Sequence, residues 1–366
     1  RTSRKALAFT LRRKLVQQEK VLNVPTLRFP EFTGEWNTDI IENVAPLQRG
    51  FDLPTQNVEE GNYPVVYSNG ILRKHKDFKC EAPGLVTGRS GSIGNFTFIP
   101  EGKYWPHNTS LWVTNFHGNN PLFVYYLYQT INIGQYATGS GVPTLNRNDV
   151  HRHEVSIPTV NEQCKLADFL SLIDKRITTQ NRIIDNIQSQ IIGLEQILLK
   201  PKSSWTTYSI GDVLTIGSGR DYKHLPDGDI PVYGTGGYML SVNDYLHDGE
   251  SVCIGRKGTI DKPIYLRGKF WTVDTLFYTH DFRNILPRYC YYLFNTINWQ
   301  KYNEASGVPS LSKETIERIK ISIPTAEDQK RICYIIDSVE EKLTLERTFL
   351  EKLILQKQFL LSSLFV

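Results

Sequence analysis

The strongest pattern along the chain is a run of apolar residues in alternating steps of four and three. Leu166, Leu170, Ile173, Ile177, Ile184, Ile187, Ile191, Leu194 and Leu198 keep this rhythm, interrupted only at Gln180. Such steps place side chains on one narrow stripe of an α-helix, so the spacing predicts a long helix with a heptad seam. The same register returns in Ile332, Ile336, Val339, Leu343, Leu350, Leu353, Leu360 and Leu364, and Glu346 stands where the first seam has Gln180. A helix of ~35 residues is ~50 Å long, more than a small domain needs. The two stripes are therefore expected to pack on each other as a coiled coil. Leu170, Ile177, Ile184, Ile191, Ile336, Leu343 and Leu350 are then spacer positions, and Gln180 and Glu346 set the register. Core helices of two separate globules are the alternative, and it fits less well with stripes this narrow and flanks this polar.

Ahead of each long helix the pattern changes. Tyr63-Pro-Val-Val-Tyr67, Gly84-Leu-Val-Thr87, Phe96-Thr-Phe-Ile99, Ile230-Pro-Val-Tyr233, Ser251-Val-Cys-Ile254 and Pro263-Ile-Tyr-Leu266 are short, β-branched or aromatic, and bounded by turn formers. They predict strands. Residues 120–130 and 286–296, rich in Leu, Phe and Tyr, predict one helix in each half. Each half is thus mixed, of the α+β class, and the order globule, long helix, globule, long helix suggests a dumbbell.

The halves are copies of one plan. Ser140-Gly-Val-Pro-Thr-Leu, then Ser156-Ile-Pro-Thr and Gln163, recur 166 positions later as Ser306-Gly-Val-Pro-Ser-Leu, Ser322-Ile-Pro-Thr and Gln329. Residues 140–163 and 306–329 share eleven identities in twenty-four positions. Upstream, Gly88-Arg-Ser-Gly-Ser-Ile matches Gly255-Arg-Lys-Gly-Thr-Ile, Trp105 matches Trp271, Asn108-Thr109 matches Asp274-Thr275, and Trp36 matches Trp205. A period this long is a duplicated domain and not a solenoid.

With 366 residues, 40% apolar and 22% charged, the chain has ordinary globular composition and room for two or three domains. Its net charge of +4 is unevenly placed, because seven basic residues among the first twenty face only Glu19. With Leu7, Leu11 and Leu15 four apart, that stretch reads as a basic amphipathic helix facing nucleic acid, a membrane surface or a partner, or else as a solvated leader. Cys80, Cys164, Cys253, Cys290 and Cys333 are odd in number and far apart, without zinc spacing, which suits a reducing cytosol. No apolar run approaches a membrane span and no signal peptide is evident, so a soluble, cytoplasmic protein is expected.

A search for catalytic motifs finds no phosphate-binding GxxxxGK[ST], no HExxH, no GxSxG elbow and no dinucleotide GxGxxG after a strand. Nor is there the Asn/Asp-Pro-Pro-aromatic motif of amino-methyltransferases. Gly217-Ser-Gly219 and Gly234-Thr-Gly-Gly237 read as turns. His151 and His153 could share one face of a strand, but the second copy has Glu317 and Ile319 there, so no metal site is expected. Glu340 and Glu341, followed by Lys342, read as a solvated helix face. Instead, polar loop chemistry occurs twice. Gly88-Arg89-Ser90-Gly91-Ser92 and Gly255-Arg256-Lys257-Gly258-Thr259 each set a guanidinium between glycines. Such a loop can bring backbone amides to a phosphate while Arg reaches a phosphate or a guanine edge. Tyr67, Asn69, Arg73, Lys74, His75 and Lys76 in copy one, and Arg220, Tyr222, Lys223 and His224 in copy two, add donors. A single such loop is as well read as a turn with a solvated Arg, and its recurrence within divergent sequence shifts the balance toward two readers of different targets.

The GRxGxxG-like loop through Gly94, SGVPxL, SIPTxxxQ and a following long helix, all duplicated, resemble the specificity subunit of type I restriction-modification enzymes. Residues 24–36 resemble the opening of that family, and the resemblance covers residues 22–366. It implies two tandem mixed α/β target-recognition domains, residues 22–160 and 201–326, separated by spacer helices 161–200 and 327–366 that form an antiparallel coiled coil. Residues 1–21 have no counterpart. It further implies that each domain reads half of a split, asymmetric double-stranded DNA site. The helices would dock two methyltransferase subunits, which carry S-adenosylmethionine and flip the adenine; restriction subunits using ATP and Mg would join them. Catalysis and cofactors would then belong to partners, with none on this chain. By position, Arg89 and Arg256 face DNA, with Ser90, Ser92, Lys257 and Thr259 beside them, and Asn108, Thr109, Asp274 and Thr275 follow. Residues 140–144 and 306–310 are expected as framework at the joint of globule and helix, with a partner or DNA contact as the alternative. Copy two departs from the pattern in having Asp261 where copy one has Gly94. Two other classes stay open at this point, a protein-binding scaffold with duplicated globules on a rod, and a nuclease or methyltransferase with an unfamiliar site.

Overall fold

The structure, a computed structural model, describes residues 23–139 and 141–366. The basic leader and Ser140 lie outside the described residues. The chain divides into two compact units, Arg1–Thr179 with Leu350–Val366, and Gln180–Phe349.

In unit 1 the elements run β1 (Asn37–Ile40), α1 (Ile41–Val44), β2 (Leu47–Arg49), β3 (Tyr63–Tyr67), β4 (Gly70–His75), β5 (Cys80–Glu81), β6 (Gly84–Gly88), β7 (Phe96–Ile99), β8 (Lys103–Pro106) and β9 (Ser110–Val113). There follow α2 (Pro121–Thr130), β10 (Ala137–Thr138), β11 (Thr144–Leu145), α3 (Arg147–His151), β12 (Glu154–Ile157) and the long α4 (Val160–Leu198), whose second half belongs to unit 2. Unit 2 continues with β13 (Thr206–Ser209), α5 (Ile210–Val213), β14 (Thr215–Ser218), β15 (Asp227–Gly234), β16 (Gly237–Val242), β17 (His247–Asp248), β18 (Ser251–Gly255), β19 (Ile264–Leu266), β20 (Lys269–Thr272) and β21 (Leu276–His280). Then come α6 (Pro287–Thr296), α7 (Lys313–Arg318), β22 (Lys320–Ile323) and α8 (Ala326–Leu364), whose end returns to unit 1.

The duplication holds at the level of topology. Unit 1 has four-stranded sheets in the orders β2-β9-β6-β7 and β4-β3-β8-β5; unit 2 repeats them as β14-β21-β18-β19 and β16-β15-β20-β17. In both second sheets one central pair, β3 with β8 and β15 with β20, is parallel. A two-stranded ribbon, β1 with β12 and β13 with β22, ties the start of each globule to the strand just before its long helix.

Gln163 and Gln329 explain the recurring SIPTxxxQ. Both are fully buried at the first turn of a long helix. Gln163 Oε1 accepts from Asn120 N at 2.9 Å while its Nε2 donates to Pro158 O at 3.0 Å. Gln329 makes the same two bonds, from Leu286 N at 2.8 Å and to Pro324 O at 3.0 Å. One amide thus satisfies the unpaired groups where α2 or α6 begins and the long helix begins. In unit 1 the opening segment is fastened there too: Arg28 forms two 2.8 Å bonds to the buried Glu162, to which the Trp36 indole also donates.

Along the seams Leu166, Leu170, Ile173, Ile184, Ile187, Ile332, Ile336, Leu353, Leu360 and Leu364 are buried, while Ile177, Ile191, Leu194, Leu198, Val339, Leu343 and Leu350 are half-buried, and within each unit the helices run antiparallel. In unit 1 Leu166, Leu170 and Ile173 share a core with Leu360 and Leu364, and Asp174 pairs with Lys357 at 2.7 Å. In unit 2 the buried Gln180 donates through Nε2 to Glu346 O at 3.1 Å and to its carboxylate. There Ile191 and Leu198 pack with Ile332 and Ile336. The helix ends are also core helices of the globules, so both readings of the stripes describe part of the structure. Glu340, expected on a solvated face, instead pairs with Arg288 and accepts from Tyr292 Oη at 2.9 Å. Tyr126 Oη makes the corresponding bond to Asp174, at 2.7 Å.

Two further expectations are corrected. His151 closes α3 and His153 precedes β12, so the pair does not share a strand face; their rings bond Leu47 N and Tyr136 Oη. Gly217 lies inside β14 and not in a turn: a Cβ there would sit 2.2 Å from the Tyr278 ring. Gly234 and Gly237 do bound the β15–β16 hairpin turn.

Candidate nucleic-acid interface

Each GRxG loop leaves an inner strand of the first sheet, β6 at Gly88 and β18 at Gly255. A Cβ on Gly88 would lie 2.1 Å from Ser92 O, and one on Gly255 2.0 Å from Thr259 O, so the loop closes on itself only with glycine at its start. Arg89 N donates to Thr109 O at 2.9 Å and Arg256 N to Thr275 O at 2.8 Å. Gly91 N reaches Pro143 O and Gly258 N reaches Pro309 O, at 3.3 and 2.8 Å. Leu145 N and Leu311 N return bonds to the Arg89 and Arg256 carbonyls.

This network corrects two expectations. The SGVPxL segments are not at the joint with the long helix; they clamp the GRxG loops through the bridges Ser90 with Thr144 and Lys257 with Ser310. The amides of Arg89, Gly91, Arg256 and Gly258 already have carbonyl partners, so they do not form a phosphate cradle, and side chains carry the loop's chemistry. Asp261, the departure in copy two, leaves this frame intact and accepts from Gln300 Nε2 at 3.3 Å. Hairpin turns complete the cluster: Ser68 O lies against Gly88, and Thr235 Oγ1 against Gly258.

Around this frame the residues named from sequence separate into groups. Arg89 is half-buried and Arg256 exposed, its guanidinium 5.8 Å from the Phe277 ring centre and donating to Asp274 O. Ser90 Oγ contacts Thr144 Oγ1, while Ser92 and Thr259 are half-buried and Lys257 exposed. Thr109 and Thr275 act through their carbonyls, as above; Asn108 is tied to Asp52, and Asp274 is exposed. Tyr67 packs against His107 with ring centres 4.3 Å apart and planes tilted by 37°, Asn69 sits in the hairpin turn, and Arg73 and Lys74 are exposed on edge strand β4. Lys76 is engaged by Glu59 at 2.8 Å, and His75 is buried against Trp105. In copy two the Arg220 carbonyl is held by Trp271 Nε1 at 2.8 Å while its side chain, like that of Lys223, is exposed. Desolvation lowers the pKa of His107 below the usual imidazole value of 6.5, so that ring is a neutral packing partner at pH 7.

Beside each GRxG loop lies an open cleft. In copy one it is lined by Arg49, Arg89, Thr138, Thr144, Asn146 and Arg147. In copy two it is lined by Ser218, Arg256, Lys257, Glu304, Ser312 and Lys313, among others. Arg147 and Lys313 open helices α3 and α7 and are 166 positions apart, so the repeat offset itself could have found them. Arg49 carries no such signal, because only strand pairing brings β2 to the loop. At each clamp tip a valine, Val142 or Val308, is exposed. Both clefts carry basic side chains bordered by hydroxyls, with the Asn146 amide in copy one and the Glu304 carboxylate in copy two, and such groups suit a phosphodiester backbone and base edges.

Among the described residues, no group of three or more His, Cys, Asp or Glu could hold a metal ion, and no helix is long and apolar enough to cross a membrane. Comparison with known proteins agrees with the duplicated plan. A type I restriction enzyme specificity subunit of Haemophilus influenzae is 22% identical over 315 residues, 76% of this chain and 80% of its own length. The EcoprrI specificity subunit of Escherichia coli is 24% identical over 111 residues, 30% of this chain and 28% of that protein. Among solved structures, the S subunit of a type I restriction-modification system from M. genitalium superposes with TM-score 0.64 at 18% identity, covering 94% of this chain and 99% of that one. A chain from a type I R-M complex gives 0.58 at 14% identity, covering 92% and 98%. These findings favour a type I specificity subunit with two target-recognition domains over a protein-binding scaffold. Residues 33–189 and 202–354 each match the type I restriction modification DNA specificity domain, and the chain belongs to that family.

Proposed function

We propose that this chain is the non-catalytic DNA reader of a cytoplasmic type I restriction-modification complex, each unit recognising one half of a bipartite, asymmetric double-stranded site. The observation that carries the reading is the same clamped loop and basic cleft built twice, with the polar residues around it changed from one copy to the other. Arg147 and Lys313, of like charge in both copies, suit phosphate contacts that fix position, as do Arg89 and Arg256; the divergent residues suit base edges. Residues 23–366 carry little net charge, which favours a partner completing the DNA-binding channel. Exposed apolar residues on the long helices, Leu172, Leu355 and Phe359 in unit 1 and Tyr334 and Leu345 in unit 2, support docking of two methyltransferase subunits there. S-adenosylmethionine would then act on those subunits, and ATP with Mg on the restriction subunits.

The test is to map methylated adenines in DNA modified by the cognate methyltransferase subunit with and without this chain. The expected result is a split asymmetric motif that appears only when the chain is present. Methylation independent of the chain, or none from a confirmed complex, would overturn the reading.

A further inference from the structure

The two clefts can be superposed residue by residue through the repeat. Thr138 and Glu304 are 166 positions apart and sit at equivalent places: Thr138 is paired with Thr144 across β10 and β11, and Glu304 N donates to Ser310 O, 166 positions after Thr144. Arg49 pairs with Leu111 across β2 and β9, and Ser218 with Phe277 across β14 and β21; Leu111 and Phe277 are again 166 apart. Around a constant frame, therefore, the cleft swaps Arg49 and Thr138 for Ser218 and Glu304. Copy one presents three guanidiniums, while copy two places a carboxylate among Arg256, Lys257 and Lys313.

Glu304 is exposed, yet its position is set. Its Oε1 accepts from Ser312 Oγ at 2.7 Å and from Thr315 Oγ1. These hydroxyls hold the carboxyl below the usual carboxylate range, so it is ionised at neutral pH. An ionised carboxylate only accepts hydrogen bonds, and beside a phosphodiester backbone it is repelled unless an amino donor meets it. In the major groove, cytosine N4 presents that donor without an adjacent acceptor, whereas guanine presents acceptors that suit a guanidinium.

We propose that the swapped pair sets the base preference of each half-site: Glu304 selects a cytosine by accepting from its amino group, and Arg49 selects a guanine. The proposal rests on the DNA-reading function above and deepens it.

The variant Glu304→Gln separates recognition from structure, because its amide oxygen still accepts from Ser312 and Thr315 while the other carboxylate oxygen becomes an amino donor. Full-length chain and cognate methyltransferase subunit would be co-expressed, and methylated adenines mapped for the parent, E304Q and Arg49→Ser. The expected result for E304Q is a ~10- to 100-fold loss of preference at one cytosine of one half-site, with adenine gaining there, as an amide pairs with adenine. R49S should change one guanine in the opposite half-site only. An unchanged motif with uniformly lower methylation would make Glu304 a structural support and overturn the proposal; so would changes in both half-sites from one variant. A parent complex giving no bipartite motif would instead overturn the DNA-reading function itself.

Discussion

Gln329 has 0% of its surface exposed and bonds Leu286 N, Asn284 O and Pro324 O. Gln329→Leu keeps the volume but strands these groups, and should cost ~1–3 kcal/mol per buried group left unpaired. Chemical denaturation checks this; a change of a few tenths would mean the groups find other partners. The glutamine was visible as a repeated letter, but its role depends on chain segments some forty residues upstream and could not be read from spacing. Histidines give a second prediction. Burial lowers the pKa of His107, His151 and His153 in unit 1 below 6.5. The unfolded chain therefore binds more protons between the folded values and 6.5, and stability rises with pH across that window. Unit 1 should weaken as pH falls from 7 toward 5, and His151→Gln should flatten a thermal-melt profile over this range. Arg147→Ala belongs to the same scale: binding by the complex should weaken about equally for all sequences, and the slope of log affinity against log salt should drop by ~1. A loss confined to one sequence would assign Arg147 to base reading instead.

At the scale of elements, the long helices were the most legible feature, because a heptad stripe is local and repeats many times. The Gln180–Glu346 contact was legible only as two polar residues at one step of two seams; the antiparallel arrangement makes them partners. Replacing both by leucine should raise the thermal midpoint while loosening register, since a buried amide held to a half-buried carboxylate costs desolvation and fixes alignment. Melting and engineered disulfides across the seam would check this; a lower midpoint would show that the pair itself stabilises. The loops were less legible. GRxG and SGVPxL stood out as motifs, yet their mutual clamp joins segments about fifty residues apart. Nothing in either motif alone signals that its amides are already bonded.

For the whole molecule, the proposed function predicts that the duplicated units act separately. Replacing residues 30–160 with the same region of another such subunit should change one half-site and leave the other intact, as read by methylation mapping. A change in both would remove the modular reading. Two family domains match this chain, over residues 33–189 and 202–354. Most of the architecture could be anticipated from the repeat, since whatever one copy reveals applies to the other.

By itself the sequence determined the duplication, the mixed composition of each half and the two heptad helices, because these rest on local periodicity and on identities at a fixed offset. Tertiary structure decided what the motifs do. Strand pairing carried Arg49 to the GRxG loop, the clamp engaged the amides of Arg89, Gly91, Arg256 and Gly258, and the repeat frame set Glu304 in copy two at the position Thr138 holds in copy one. Those outcomes depend on contacts between distant segments, where backbone donors and acceptors must all be satisfied at once, and no single window of sequence contains that condition.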